Sequence, residues 1–243
     1  MKIAVIGGTG LIGSQVVQNL NAAGHKAVPH SLSTGVDVLT GQGVDVALAG
    51  ADVVVNLTNS PTFDDASLAF FQTSMDNLLA AAQRAGVGHF VILSIVSVDQ
   101  VPELDYYRAK ALQEDILKAG PVPYSIVRAT QFMEFIDAVL SWTADNDTVR
   151  LPRTPLQPVA AADVAATVAD VAAGSPLGGT LNLAGPDTYP LDELGRITLA
   201  SKGDKRSVTT DDTAGMFAVV HGDVLTAKNG GRIAPTHYTD WLK

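Results

Sequence analysis

The stretch Ile3-Ala4-Val5-Ile6-Gly7-Gly8-Thr9-Gly10-Leu11-Ile12-Gly13 decides how this chain is read. Four apolar residues stopped by glycine form a buried strand. Residues 11–23 then carry Leu11, Ile12, Val16, Leu20 and Ala23 on one helical face, and Gly24 ends the helix. Glycines at 7, 10 and 13 therefore stand between a strand and a helix. Without Cβ atoms the backbone can turn tightly and come close to a ligand. The free N–H groups and the dipole at the helix start favour a phosphate. A tight turn alone has no need of three glycines so spaced. In this strand–loop–helix setting the motif predicts a dinucleotide site, with contacts from Gly7, Thr9, Gly10, Leu11, Ile12 and Gly13.

The pattern repeats outward from there. Residues 26–31, 52–57, 90–94 and 124–128 read as strands. Residues 66–84 and 106–119 read as helices, the second closed by Gly120-Pro121. Continuous apolar strands are covered on both faces, which makes the sheet parallel and the class α/β, a Rossmann-like doubly wound fold. A short third strand is expected at Val36-Asp37-Val38. Further on, residues 132–142, 160–173 and 191–200 read as helices and 180–183 as a strand. Residues 146–158, with three prolines, read as mostly loop. The expected organisation is a nucleotide-binding region over residues 1–130 and a smaller C-terminal substrate lobe over 131–243. The lobe shares elements with the main sheet, and no linker divides the two.

Composition excludes several classes. The chain has 243 residues, 47% hydrophobic and 17% charged, enough to bury a sizeable core. Its 16 basic and 25 acidic side chains give a net charge of −9, which argues against nucleic acid as a partner. With no cysteine there is no disulfide framework. The apolar run at residues 3–6 is too short for a secretory leader, and no run approaches the roughly 18 apolar residues of a membrane span. The expectation is a cytoplasmic protein with a small-molecule substrate, able to form a homodimer. The five histidines show no metal spacing, so no metal is expected.

No Asp or Glu precedes Asp37, so the carboxylate that would bond an unphosphorylated ribose is missing. His30, Ser31, Ser33 and Thr34 can instead donate to a 2′-phosphate. This points to NADP, with NAD as the alternative. Tyr106 and Lys110 fall four apart, on one face of their helix. Asp105 reads as the N-cap of that helix and Asp163 as another helix cap. Asp64-Asp65 and Asp211-Asp212 read as solvated helix starts.

Five stretches carry a resemblance. They are the glycine loop, Asn56-Leu57-Thr58-Asn59-Ser60-Pro61, Leu93-Ser94-Ile95-Val96-Ser97, Tyr106-Tyr107-Arg108-Ala109-Lys110 and Arg128-Ala129-Thr130-Gln131-Phe132. Their order resembles the extended and atypical short-chain dehydrogenase/reductase superfamily, most closely its NmrA-like branch, over roughly residues 1–190. The resemblance implies NAD(P) as cofactor, with Tyr106 handling the substrate proton. It implies that Lys110 binds the nicotinamide ribose and lowers the phenol pKa. It implies cofactor contacts from Thr58, Asn59, Ser60, Thr130, Gln131 and Phe132. The family pattern also asks for Ser or Thr at the end of the strand before Tyr106; here Ile95 or Val96 stands there, with Ser94 or Ser97 as the substitutes on offer. Relatives that prefer NADP carry Arg where this chain has Leu32. The implied activity is hydride transfer to a quinone or carbonyl acceptor. The alternatives are a non-catalytic redox sensor and, third, a sugar-nucleotide epimerase.

Overall fold

The structure is a computed structural model that describes residues 1–227 and 230–243. The elements are β1 (Lys2–Ile6), α1 (Leu11–Ala22), β2 (Lys26–His30), α2 (Val44–Leu48), β3 (Val53–Asn56), α3 (Ala66–Ala85), β4 (His89–Ile95), α4 (Asp105–Ala119) and β5 (Tyr124–Ala129). There follow α5 (Ile136–Trp142), β6 (Ala144–Asp145), β7 (Thr148–Leu151), β8 (Pro155–Leu156) and α6 (Ala161–Ala173). The chain ends with β9 (Gly179–Ala184), β10 (Tyr189–Pro190), α7 (Leu191–Ser201), β11 (Ser207–Thr210), β12 (Arg232–Ile233) and α8 (Tyr238–Trp241). The main sheet runs β12-β9-β5-β4-β3-β1-β2. By backbone contacts the chain forms two units, Met1–Arg128 with Val164–Leu181, and Ala129–Asp163 with Asn182–Lys243.

In the first unit β1 pairs in parallel with both β2 and β3, and β3 with β4. All four residues of β3 are buried, as a strand covered on both faces requires. One face of the sheet, with Ile6, Val54, Phe90, Ile92 and Ile126, packs on Met75, Leu78, Ala82, Leu117 and Leu48 of the helices. Each such large side chain contributes about 1.5–3 kcal/mol. Strand order reverses between β1 and β3, and open α/β sheets take ligands beyond the carboxyl ends of the strands at such a reversal.

Several expectations are corrected. Val36 and Val38 are buried but pair with no strand: they plug the core cluster from a loop, and the short α2 makes the crossover to β3. β2 is therefore the sheet edge on this side. α4 begins at Asp105 itself with Leu104 as its cap residue, and the Asp105 carboxylate pairs with Arg108 instead. Residues 146–158 hold two short strands among their loops. Thr148–Leu151 alternates inward Val149 and Leu151 and pairs with both β6 and β11. Asp163 lies within α6, and its carboxylate accepts from the Thr236 N–H at 3.2 Å. Asp211 and Asp212 open no helix: Asp211 accepts from Thr213, and Asp212 grips Arg153. The first helical turn of residues 132–142 is a 3-10 turn, Met133–Phe135, ahead of α5.

The second unit has its own core, with Leu140, Val149, Leu151, Leu191, Leu194 and Tyr238 buried. A Cβ on Gly195 of α7 would stand 2.5 Å from the Leu151 side chain, so glycine is what lets that helix approach β7.

A buried histidine ties the first unit together. His89 of β4 shares a 2.8 Å hydrogen bond between Nε2 and the Ser125 hydroxyl of β5, which also accepts from the Leu177 N–H at 2.9 Å. Burial pushes the His89 pKa below the ordinary 6.5. Protons therefore bind the unfolded chain better. The stability that neutral His89 contributes is present above pH 6.5 and is lost as pH falls through its folded value. His30, also lowered by burial and then by Lys2, acts in the same direction. Thermal melts at pH 7.5 and 5.5 are expected to show a smaller acid-induced drop in Tm for His89→Asn than for wild type. Equal drops would clear His89 of the effect.

Candidate functional site

The glycine loop is clamped from both sides. The Gly7 and Gly8 N–H groups donate to the His30 carbonyl at 2.8 and 3.2 Å, and the Leu57 N–H donates to the Ile6 carbonyl at 2.8 Å. Gly7 has φ +77°, and a Cβ there would stand 2.7 Å from the Leu57 carbonyl oxygen. A Cβ on Gly8 would meet Val5 O at 2.6 Å, and one on Gly13 would meet the Gly8 Cα at 2.7 Å. These three glycines are required by the protein's own packing. Gly10 is different. It has an ordinary φ of −79°, it is exposed, and the nearest atom to a Cβ is Gly7 O at 3.4 Å. The fold has room for a side chain at Gly10, so the glycine there is explained by something that must pass close to it. Thr9 and Leu11 share its exposure at the crest, while Ile12 is buried beneath. Gly10 is the cap residue of α1 and offers no capping side chain, and no acidic residue sits in the first turn. A diphosphate fits this cradle.

At the end of β2, Ser31 and Thr34 form a reciprocal cap: the Ser31 N–H donates to Thr34 Oγ1 at 2.8 Å, and that hydroxyl donates to the Ser31 carbonyl at 3.0 Å. The Ser31 and Ser33 hydroxyls meet at 2.8 Å. Leu32 between them is exposed. The Asp37 carboxylate is turned to the Leu39 and Thr40 N–H groups of its own turn, which hold its pKa down.

Past β3, the Asn56 side chain organises the loop by accepting from the Thr58 N–H at 3.1 Å and from its hydroxyl at 2.8 Å. Ser60 is buried and receives the Ser67 hydroxyl at 3.0 Å, fastening the turn into α3. Asn59 is exposed, and its Oδ1 accepts the Tyr106 hydroxyl from the first turn of α4. The Tyr106 ring lies between Phe63 and Phe71, with centroids 4.9 and 6.0 Å away. Phe71 is fully buried and Phe70 half-buried against the core, so Phe63 is the exposed aromatic of the three.

Lys110, one turn further along α4, is 4% exposed. Its Nζ donates to the Leu93 carbonyl at the end of β4 at 2.7 Å and to Gln113 Oε1, and it stands 4.8 Å from the centre of the Phe71 ring. Burial brings its pKa down to about 7, against the opposing pull of Glu114. The phenol departs from expectation. Burial, then the neighbouring Tyr107, pushes the Tyr106 pKa up, because the ammonium is turned to Leu93 and Gln113. Tyr106 is held protonated at neutral pH, able to give a proton.

The end of β4 has no hydroxyl on offer at Ile95 or Val96. Ser94 is buried, and Ser97 lies past the turn with φ +56°. Arg128 and Lys118 hold the buried Glu114 ionised against the opposing effect of burial. Thr130, Gln131 and Phe132 belong to the second unit. The Thr130 hydroxyl donates to the Gln157 carbonyl at 2.6 Å, and Phe132 bridges to Val159. Met133 is buried, and Phe135 meets Trp142 edge-to-face at 5.2 Å between ring centroids. Sequence reading missed Asn56, Met75 and Gln113, all buried around Lys110. Gln113 had a signal, since it follows Lys110 by three residues on the same helix.

Residues 7–174 match the family described as NAD(P)H-binding. The chain belongs to that NAD(P)H-binding family. Its cofactor is NAD(P). Over 153 residues it is 33% identical to the (4-alkanoyl-5-oxo-2,5-dihydrofuran-3-yl)methyl phosphate reductase of Streptomyces griseus, covering 58% of this chain and 50% of that one. Over 151 residues it is 27% identical to the photosystem II assembly factor Ycf39 of a Synechocystis species, covering 55% and 46%. The chain thus spans about half the length of the curated relatives it matches. A dTDP-4-dehydrorhamnose reductase from Bacillus anthracis, solved with NADP, shares the fold with a TM-score of 0.79 at 15% identity, over 99% of this chain and 96% of that one. Among the described residues no helix is long and apolar enough to cross a membrane, and no group of three or more His, Asp or Glu could hold a metal.

Proposed function

We propose that this NAD(P)H-binding chain is a reductase that passes a hydride to a small quinone or carbonyl acceptor. The observation that carries the reading is Tyr106, a phenol kept protonated in the first turn of α4 and bonded to the exposed Asn59 past the end of β3. When bound, the nicotinamide nucleotide supplies the hydride. The chain's own residues do the rest. The glycine loop binds the diphosphate, with Thr58 and Asn59 beside it. Lys110 donates to the ribose hydroxyls, and Tyr106 gives its proton to the acceptor oxygen. The paired Ser31 and Ser33 hydroxyls, with the Asp37 carboxylate taken up by its own turn, support a 2′-phosphate and hence NADP over NAD. Without an Arg at Leu32 the expected preference is about tenfold, short of what a guanidinium fork provides.

A second reading is a redox sensor that binds the same nucleotide without turning it over. It is favoured by Ile95 and Val96 standing where the family pattern asks for a hydroxyl. One experiment separates the two. Purified protein with NADPH is offered a panel of quinones, enones and aldehydes, and loss of absorbance at the nicotinamide band is followed. The reductase reading expects catalytic consumption with at least one acceptor. Tight NADPH binding with no turnover across the panel would transfer the case to the sensor.

A further inference from the structure

Lys110 sits at the end of a buried polar chain that the mechanism above does not use. The Thr58 hydroxyl and N–H donate to Asn56 Oδ1 at 2.8 and 3.1 Å. Asn56 Nδ2 donates to the Met75 sulfur at 3.4 Å, and Gln113 Nε2 donates to the same sulfur at 3.7 Å. Gln113 Oε1 accepts from Lys110 Nζ. Asn56, Met75, Gln113 and Lys110 are all buried. A glutamine facing the interior between α3 and α4 is costly unless both ends of its amide are used, and a leucine would fill the same space for packing alone. Here both ends are used, one on a soft sulfur and one on an ammonium.

We propose that Gln113 is a positioning residue: it holds the Lys110 ammonium against the Leu93 carbonyl at the end of β4 and leaves one N–H donor for the nucleotide ribose. This rests on the reading of Lys110 as the ribose ligand. The charge on Lys110 has unusual support. From β4 it meets the Leu93 carbonyl, from α3 the Phe71 ring face, and from its own helix Gln113. The charged group acting on it is Glu114, whose carboxylate is already gripped by Arg128 at 2.7 Å and Lys118 at 3.0 Å. Two neutral oxygens and a ring face therefore hold the proton on a buried amine. Taking away one oxygen, or making it a carboxylate, must move the pH at which that proton leaves.

The test uses Gln113→Leu, Gln113→Glu and, as reference, Lys110→Met. Lysine side-chain carbon NMR on the protein without nucleotide reads the Lys110 midpoint directly, the signal being assigned by its loss in Lys110→Met. NADPH affinity is read by nicotinamide fluorescence at pH 6.5, below the Lys110 midpoint, where the ammonium prevails. The midpoint is expected to fall in Gln113→Leu and to rise by about one unit or more in Gln113→Glu, which adds a contacting negative charge. NADPH Kd is expected to rise at least fivefold in Gln113→Leu. A residue that only packs moves neither. An unmoved midpoint in both Gln113 variants, or wild-type affinity in Gln113→Leu, overturns the proposal alone. Wild-type affinity in Lys110→Met overturns the ribose reading beneath it.

Discussion

Gly10→Asp is expected to abolish NADPH binding while leaving the protein as stable as wild type, or more so. The two halves of that statement have separate causes. Gly10 has φ −79° and 3.4 Å of clearance for a Cβ, so a side chain enters without strain. It also occupies the cap position of α1, where aspartate is among the best residues. Relative to the glycine it replaces, the aspartate cap adds roughly a few tenths of a kcal/mol. The same carboxylate stands where a diphosphate must come close to the N–H groups of that helix. It takes their hydrogen bonds and repels the ligand, and a loss of 100-fold or more in Kd follows, about 2.7 kcal/mol or more. Gly10→Ala isolates the steric part and is expected to weaken binding about tenfold, with a stability change under about 1 kcal/mol. Gly13→Ala is the contrasting control. Its Cβ has backbone on two sides, so that variant should lose the fold itself. Melting curves and NADPH titrations on the three variants decide the matter. A Gly10→Asp protein that binds NADPH like wild type would falsify the cradle, leaving the glycine loop as a turn and no more.

The contrast between Gly10 and its neighbours also shows what the sequence could convey. The order strand, glycines, helix was legible because each rests on neighbouring residues: the apolar run of β1, the left-handed Gly7, the helical face of Ile12, Val16 and Leu20. The spacing of Tyr106 and Lys110 was legible for the same reason. Val36 and Val38 misled because β-branched, buried residues look alike whether they pair in a sheet or plug a core from a loop. Residues 148–151 were hidden by the prolines that follow, although the alternation of Val149 and Leu151 was present. The caps at Asp105 and Asp163 failed because arginine and a distant N–H outbid the local backbone for those carboxylates. Asn59 under Tyr106, and Met75 between Asn56 and Gln113, depend on α3 and α4 lying side by side, which no local pattern states.

Replacing Tyr106 by phenylalanine should lower turnover with the best acceptor by about 10²–10⁴ while NADPH affinity stays within twofold. The ring keeps its place between Phe63 and Phe71, so packing at the first turn of α4 is preserved. What disappears is one hydroxyl hydrogen. Its present acceptor, Asn59 Oδ1, is exposed and can turn to water, so the stability change should stay below about 1 kcal/mol. The size of the kinetic effect follows from the reaction. A hydride arriving at a carbonyl carbon leaves an alkoxide, and an oxygen that must wait for a proton from water loses the advantage of a positioned donor. The direction of the phenol pKa adds a second signature. Burial and Tyr107 keep the proton on Tyr106 well past neutrality, so wild-type turnover should show no limb from loss of this proton below about pH 10. A phenol lowered by a neighbouring ammonium would instead give such a limb within the assay range. Single-turnover NADPH oxidation from pH 6 to 9.5, on wild type and Tyr106→Phe, reads both quantities together. Should Tyr106→Phe turn over at the wild-type rate, Tyr106 is an aromatic wall. The acceptor oxygen must then take its proton from solvent, and the Asn59–Tyr106 bond becomes a clasp between the β3 loop and α4.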